Sequence, residues 1–535
     1  MRNPTTAYRH EILRSMLEEV GRSEDLPNII KAYSPPKDIT TYALPNAYPN
    51  IKIGIIGAGL AGLSCAYEIA KLGCSITIFE ANKERIGGRV YTYYFDKNLF
   101  GELGAMRIPL AHECTWHYLN LFRINTVPFI SDSENNILYV NKQRIRGLNK
   151  DQDIMKRIYP FYPLYKWEKH TSLKELDLIV LNEPLYKMSK EVRLELLQVR
   201  PKYHHQILLY DALNFFQVCD TLGFSDGGKA LLYNTMGIDR GFYYSSYLEL
   251  MREVYPLNFY NVYKMEKGFS ELPKAFLKHL QPNVKLKMNH LVTDIINDGL
   301  NNQVVLKYRT NDSEEYERFD YVICAIPFST MRLINIQPEF SQAKKQAIMQ
   351  VHYETSQKTL FLCKERFWER TINNRKVVGG RAFTDLVITS VWYPTQGDDN
   401  YGVLMAAYGV GQDANRVGNM TESERITLIK RQLEELHGLE PYYLDKIVLD
   451  YKTMDWEKDP HQLGAYAWYY PGQNRLFLYP SYLPEYNNKV FFAGEHIAPN
   501  HGWMQGALQT GMVIANNLAI IINHQKPQFS LGNGA

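Results

Sequence analysis

The sequence predicts an α/β fold whose main sheet is assembled from three separated stretches of chain, with other material threaded between them. Three observations point there. Residues 51–80 read as an apolar strand, a glycine-rich turn, a helix and a second strand. Strand-like sequence returns at Val284 to Ile296, Val304 to Tyr308 and Tyr321 to Ile326, where Pro327 ends the run. A last apolar strand, Lys489 to Ala493, leads through Gly494-Glu495-His496 to a helix with small residues at Ala507, Gly511, Ala515 and Ala519. Spaced by four, these share one helix face and permit close packing.

The elements follow in order. Residues 1–50 form an N-terminal arm. Ile12, Leu13, Met16, Leu17 and Val20 make a helical stripe, and a connector with Pro35, Pro36, Pro45 and Pro49 follows. This arm is expected to pack on the body or on a partner subunit. Next come Ile51, Ile53, Ile55 and Ile56, then Gly57-Ala58-Gly59-Leu60-Ala61-Gly62. Gly57 and Gly59 allow a tight turn with bare backbone, and Gly62 lets the helix lie close to the sheet. The N–H groups that open this helix suit a phosphate. Glu80 lies 18 residues beyond Gly62, at the end of the next strand, where a carboxylate can bond ribose hydroxyls. Together these make a Rossmann-type dinucleotide-binding unit. Residues 131–255 look helical, with periodicity at Lys174 to Leu181, Lys190 to Val199 and Tyr247 to Val254. Residues 331–470 read as a mixed α+β substrate domain. The expected division is therefore an arm (1–50), a nucleotide domain (51–130, 256–330 and 471–535), a helical domain (131–255) and a substrate domain (331–470).

Composition narrows the function classes. Sixty basic and 57 acidic residues give a net charge of +3, which offers no reason to invoke nucleic acid or an anionic membrane. The six cysteines form no CxxC pair and read as reduced structural thiols. His496 and His501 lack further ligands at suitable spacing, so no metal site is expected. The first residues lack a signal-peptide pattern. Met512 to Ile522 is too short to span a bilayer and contains Asn516 and Asn517. A soluble, cytoplasmic protein is expected, and the arm suggests a homodimer.

Two segments refine the ligand. Arg85-Ile86-Gly87-Gly88-Arg89 directly follows the acidic residue, offering bare backbone at Gly88 and a permanent charge at Arg89. Gly101-Glu102-Leu103-Gly104-Ala105-Met106-Arg107-Ile108-Pro109 places small residues where backbone can lie against a flat ring, with an arginine in mostly apolar surroundings. Such an arginine needs an anion: a ligand carboxylate, or an internal salt bridge.

With these segments the chain resembles the FAD-dependent amine oxidase superfamily, and within it the L-amino-acid oxidases, whose corresponding segment reads GAMRIP. The resemblance covers roughly residues 50–520 and is weakest over 131–260. It implies FAD held by Gly57, Gly59, Ala61, Gly62, Glu80, Ala81, Gly88, Arg89, Gly104, Ala105, Met106, Arg107, Val292, Trp456, Gly494, Glu495, Gly502, Trp503 and Met504. It implies that Arg107 binds the α-carboxylate of the substrate and that Tyr393, in Trp392-Tyr393-Pro394, donates its hydroxyl to the same group. Gly502 and Trp503, in His501-Gly502-Trp503-Met504, would flank the amine, and Lys358 would reach the flavin through a water. Tyr466 to Tyr470 is expected to line part of the pocket. Lys267-Gly268-Phe269 departs from the glycine pair usual in the superfamily before Leu272-Pro273, which affects only the domain boundary.

The implied activity is oxidative deamination of an L-amino acid by dioxygen, giving a 2-oxo acid, ammonia and hydrogen peroxide. Three alternatives stand beside it. They are an amino-acid monooxygenase that releases CO2 and an amide, an amine or polyamine oxidase, and a non-catalytic FAD-binding protein.

Overall fold

Five parallel strands form the central sheet, in the spatial order Val490–Phe492, Tyr321–Cys324, Lys52–Ile56, Ser75–Glu80 and Val284–Met288. Ile55 lies opposite Ile323 on one side and Ile78 on the other. Lys52–Ile56, Tyr321–Cys324 and Val490–Phe492 are mostly apolar and buried, as in a parallel sheet covered on both faces, whereas the edge strand Val284–Met288 alternates with lysine. The computed structural model describes residues 3–133, 135–147, 150–311, 313–370, 376–395 and 400–523. The polar tail beyond residue 523, the end of the expected nucleotide domain, lies outside them.

The helix Leu60–Ala70 follows the first strand and is buried at every residue but Tyr67. Against it packs Met504–Ile522, so closely that a Cβ on Gly511 would stand 2.5 Å from the Ala61 carbonyl oxygen. This 19-residue helix is longer than the apolar stretch singled out in the sequence. It has the length and hydropathy of a membrane span, yet 78% of its most apolar window is buried inside the protein as a core helix.

A four-stranded sheet (Glu314–Phe319, Gln303–Arg309, Leu291–Asp298, Asn335–Gln337) covers the nucleotide side. A seven-stranded sheet builds the other half, in the order Val448–Asp455, Ser356–Cys363, Gly402–Val410, Ser390–Trp392, Arg381–Thr384, Leu138–Val140 and Gln143–Ile145. Its last two strands come from the segment expected to be helical. Leu138 pairs with Phe383, so helical structure starts only at Lys150–Arg157. Three-residue strands are too short to show a two-residue period. From there, helices run to Tyr247–Val254 and enclose a core of their own.

The arm lies on the body. Its helices Thr6–Glu19 and Leu26–Tyr33 are pinned by buried polar contacts. The Arg9 guanidinium donates to both oxygens of Glu113, at 2.7 and 2.9 Å. The Gln505 and Gln509 amides donate to the Tyr33 and Ala32 carbonyls, at 2.8 and 2.6 Å.

Candidate active site

A cavity of about 620 Å³ runs from the carboxyl ends of the central strands to the seven-stranded sheet. Its nucleotide end is made mainly of backbone. Gly57 has φ +100°, which an L side chain adopts only with strain. A Cβ on Gly62 would stand 2.1 Å from the Gly57 carbonyl oxygen, so only glycine lets the helix start this close to the strand. A Cβ on Gly59 would meet nothing within 4 Å, and Gly59 and Gly88 both line the cavity. Glu80 accepts the N–H groups of Ala58 (2.8 Å) and Asn82 (2.9 Å). Burial raises its pKa, and those two bonds oppose the shift. The Glu80 carboxylate is thus held in place with acceptor capacity to spare.

Glu495 joins the two ends. One oxygen accepts from Arg89 at 2.6 Å and from the Ala467 N–H at 3.2 Å. The other accepts from the Gly502 N–H at 2.9 Å. This buried carboxylate therefore fixes both a cation facing the nucleotide end and the loop that opens the helix Met504–Ile522.

The far end is built from side chains. Arg107 is half-buried and lines the cavity. Its guanidinium carbon sits 5.3, 5.5 and 5.8 Å from the ring centres of Trp392, Phe259 and Trp503. Among the described residues it has no hydrogen bond and no ion pair, so the internal salt bridge that would explain a structural arginine is not formed. Aromatic faces hold the guanidinium and leave its donor fork available to an anion in the cavity. Lys358, on the strand Ser356–Cys363, donates to the Gly104 carbonyl at 2.6 Å and lies 4.4 Å from the ring centre of Tyr408. Burial, aided by the charge of Arg107 and opposed by Glu102, lowers its pKa to about 7. Glu253, on Tyr247–Val254, lines the same end, and burial raises its pKa to about 7.

Of the residues singled out in the sequence, the cavity wall gathers Gly57, Gly59, Ala61, Glu80, Ala81, Gly88, Arg89, Gly104, Ala105, Met106, Arg107, Val292, Lys358, Trp456, Gly494, Glu495, Gly502, Trp503 and Met504. Gly62 stands behind the wall as a packing residue. Tyr393 is the exception and corrects the expected carboxylate clamp. Its hydroxyl bonds His437 at 3.0 Å, away from the cavity. Neighbours in an extended segment point to opposite faces, so Trp392 takes the side under Arg107 and Tyr393 the other. Tyr408, paired in register with Lys358, is a phenol that does line the cavity. Within Tyr466 to Tyr470, only Tyr466 and Trp468 face it; Tyr470 instead stacks on His352. Sequence reasoning missed Glu253, Phe242 and Phe259. They come from the region where the resemblance is weakest, and nothing in their local pattern marks a pocket.

The model of the flavin-containing amine oxidoreductases matches residues 60–519. The chain belongs to that family. Among its relatives, YobN of Bacillus subtilis (strain 168) is 30% identical over 480 residues, which cover 86% of this chain and 93% of the relative. The L-amino acid oxidase of Bothrops pictus is 27% identical over 517 residues, 94% of this chain and 96% of that protein. A solved structure of a putrescine oxidase triple mutant superposes with a TM-score of 0.70, covering 89% of this chain and 99% of that one; at 18% identity it speaks to the fold alone.

The family cofactor is FAD, and the residues present fit it. The open Cβ direction of Gly59 forms a cradle that a side chain would fill. The opening N–H groups of Leu60–Ala70 and the Arg89 charge suit the pyrophosphate, and the pinned Glu80 suits a ribose. Gly104 lines the cavity and packs its backbone directly on Arg89, since a Cβ there would stand 2.0 Å from the Arg89 carbonyl oxygen.

Proposed function

We propose that this flavin amine oxidoreductase is an L-amino-acid oxidase, converting the amino acid, dioxygen and water into a 2-oxo acid, ammonia and hydrogen peroxide. One observation carries the reading. Arg107 presents a guanidinium to the cavity and, among the described residues, forms no hydrogen bond or ion pair with a protein anion. A simple amine brings no carboxylate to this fork; an amino acid does.

FAD, when bound, would supply the chemistry that takes a hydride equivalent (two electrons and one proton) from Cα and passes the two electrons to dioxygen. The rest falls to the protein. Arg107 binds the α-carboxylate. The Gly502 carbonyl accepts from the neutral amine, while its N–H is held by Glu495. Two fixed points on the substrate orient its Cα–H, and positioning supplies much of the rate. Trp503 closes one side of the amine region and is fixed through its indole N–H by Glu253. Lys358 places an ammonium, ionised below about pH 7, beside the Gly104 carbonyl. There it assists oxygen reactivity or hydrolysis of the imino acid.

The test is anaerobic bleaching of the bound flavin by a panel of L-amino acids, with peroxide and 2-oxo acid measured under air. Arg107→Ala should keep its flavin and lose about 2–5 kcal/mol of transition-state interaction with the amino acid, read as kcat/KM. An unchanged kcat/KM in that variant would refute the carboxylate role, and release of CO2 with an amide would make the protein a monooxygenase.

A further inference from the structure

The helix Tyr247–Val254 carries two buried glutamates one turn apart, Glu249 and Glu253, at 1% and 2% exposure. Four residues apart, they share a helix face. Their surroundings differ. Glu249 is paired with the Arg252 guanidinium at 3.2 Å and contacts His501 Nδ1 at 2.7 Å and the Asn474 amide at 2.8 Å. Among the described residues, Glu253 accepts hydrogen bonds from neutral donors alone. The Trp503 indole N–H reaches its two oxygens at 2.8 and 3.0 Å, and the Asn258 amide donates at 3.1 Å. Among the described residues, none forms an ion pair with it. Buried carboxylates are normally matched by a cation, and this one lines the cavity that Arg107 also lines.

The two charges meet on one indole. Arg107 lies 5.8 Å from the Trp503 ring centre, and Glu253 holds the nitrogen of that ring. Phe242, Phe259, Tyr466 and Trp468 line the cavity with them. Such a wall accommodates a methylene stem and attracts a cation through ring faces. A neutral apolar side chain would leave the already buried Glu253 without an ion-pair partner. A side chain ending in an ammonium or guanidinium would give it one.

We propose that Glu253 reads the distal end of the substrate side chain, and that the preferred substrates are L-amino acids whose side chain ends in a cation. This rests on the amino-acid oxidase reading, since Arg107 must take the carboxylate for the side chain to point toward Glu253.

Matched pairs test it on the full-length FAD-loaded enzyme: L-lysine against L-norleucine, L-ornithine against L-norvaline, and L-arginine against L-citrulline. Rates of anaerobic flavin reduction and kcat/KM should favour the cationic member of at least one pair by a hundredfold or more. Glu253→Gln should cut that ratio at least tenfold, and Glu253→Leu should bring it to one or below. Three results overturn the proposal: neutral members reacting as fast as cationic ones in the native enzyme; a ratio that Glu253→Gln leaves unmoved while both rates fall, which is the signature of contact with the α-amine; and loss of flavin binding as the variant's sole effect. If neither variant folds, the native ratio alone decides. Failure of the oxidase reading looks different, because then no member of any pair bleaches the flavin.

Discussion

The two ends of the cavity are made from different materials. The nucleotide end is mostly main chain, contributed by neighbours in sequence: one turn, one helix start and one strand end within residues 57–80. The substrate end is mostly side chain, gathered from Glu253, Lys358, Tyr408 and Tyr466 on four different elements and from Arg107 and Trp503 in two loops. A backbone site requires small residues and fails when one gains an atom. A side-chain site tolerates exchange and changes what it recognises. The nucleotide end is therefore the fixed part of this enzyme, and the substrate end is the part where specificity is set.

Substitutions at each end should break differently. The largest effect is expected at Gly62→Val, where the new Cβ would meet the Gly57 carbonyl at 2.1 Å. Relieving that contact moves the helix off the strand, at a cost of about 1–3 kcal/mol or more. The purified variant should carry little flavin by its visible absorbance, and full flavin occupancy would contradict the backbone account. Lys358→Met should keep its flavin and its reduction by substrate but be reoxidised by dioxygen about 10–100-fold more slowly. The native lysine loses its proton above about pH 7. Reoxidation should therefore decline above that pH in the native enzyme, by about tenfold per unit once the group is neutral, and stay flat in the variant. Stopped-flow mixing of reduced enzyme with oxygen across pH 5.5–9 (roughly the range useful for such a group) checks both. Charges facing this lysine are Arg107, which promotes the loss, and Glu102, which resists it. The smallest effect belongs to Tyr393→Phe. Removing the hydroxyl that bonds His437 should lower stability by about 1 kcal/mol in a denaturant titration. Its kcat/KM should stay within about twofold of the native value, because Tyr393 is not part of the cavity wall and its hydroxyl is turned to His437. A hundredfold loss would restore Tyr393 to the clamp.

The same contrast explains what the sequence could disclose. The nucleotide end was legible because its requirements are local: glycines at fixed offsets after an apolar strand, then a carboxylate at the next strand end. Arg107 and Lys358 were legible through the company they keep in their segments. Tyr393 lies outside the cavity wall, with its hydroxyl on His437. Trp392 and Tyr393 alternate sides, and local sequence does not say which of them packs toward Arg107. Glu253 was not legible at all. An acidic residue on an amphipathic helix normally reads as solvent-facing, and only the tertiary packing of Trp503 and Asn258 against it shows otherwise. The hairpin at 138–145 escaped for a related reason, since its strands gain their identity from pairing with Arg381–Thr384.

The contact between Arg89 and Glu495 spans 406 positions, and it sets a timetable for the chain during its synthesis. Four strands of the central sheet are available once residue 324 has emerged, and they can pair among themselves. The fifth, Val490–Phe492, adds at an edge. At a ribosomal pace of about 5–20 residues per second, the interval is on the order of ten to thirty seconds. Throughout it the sheet presents an open edge, and Arg89 waits without its carboxylate. Retention of flavin is thus a late event, and a nascent chain halted before Glu495 should leave the ribosome colourless.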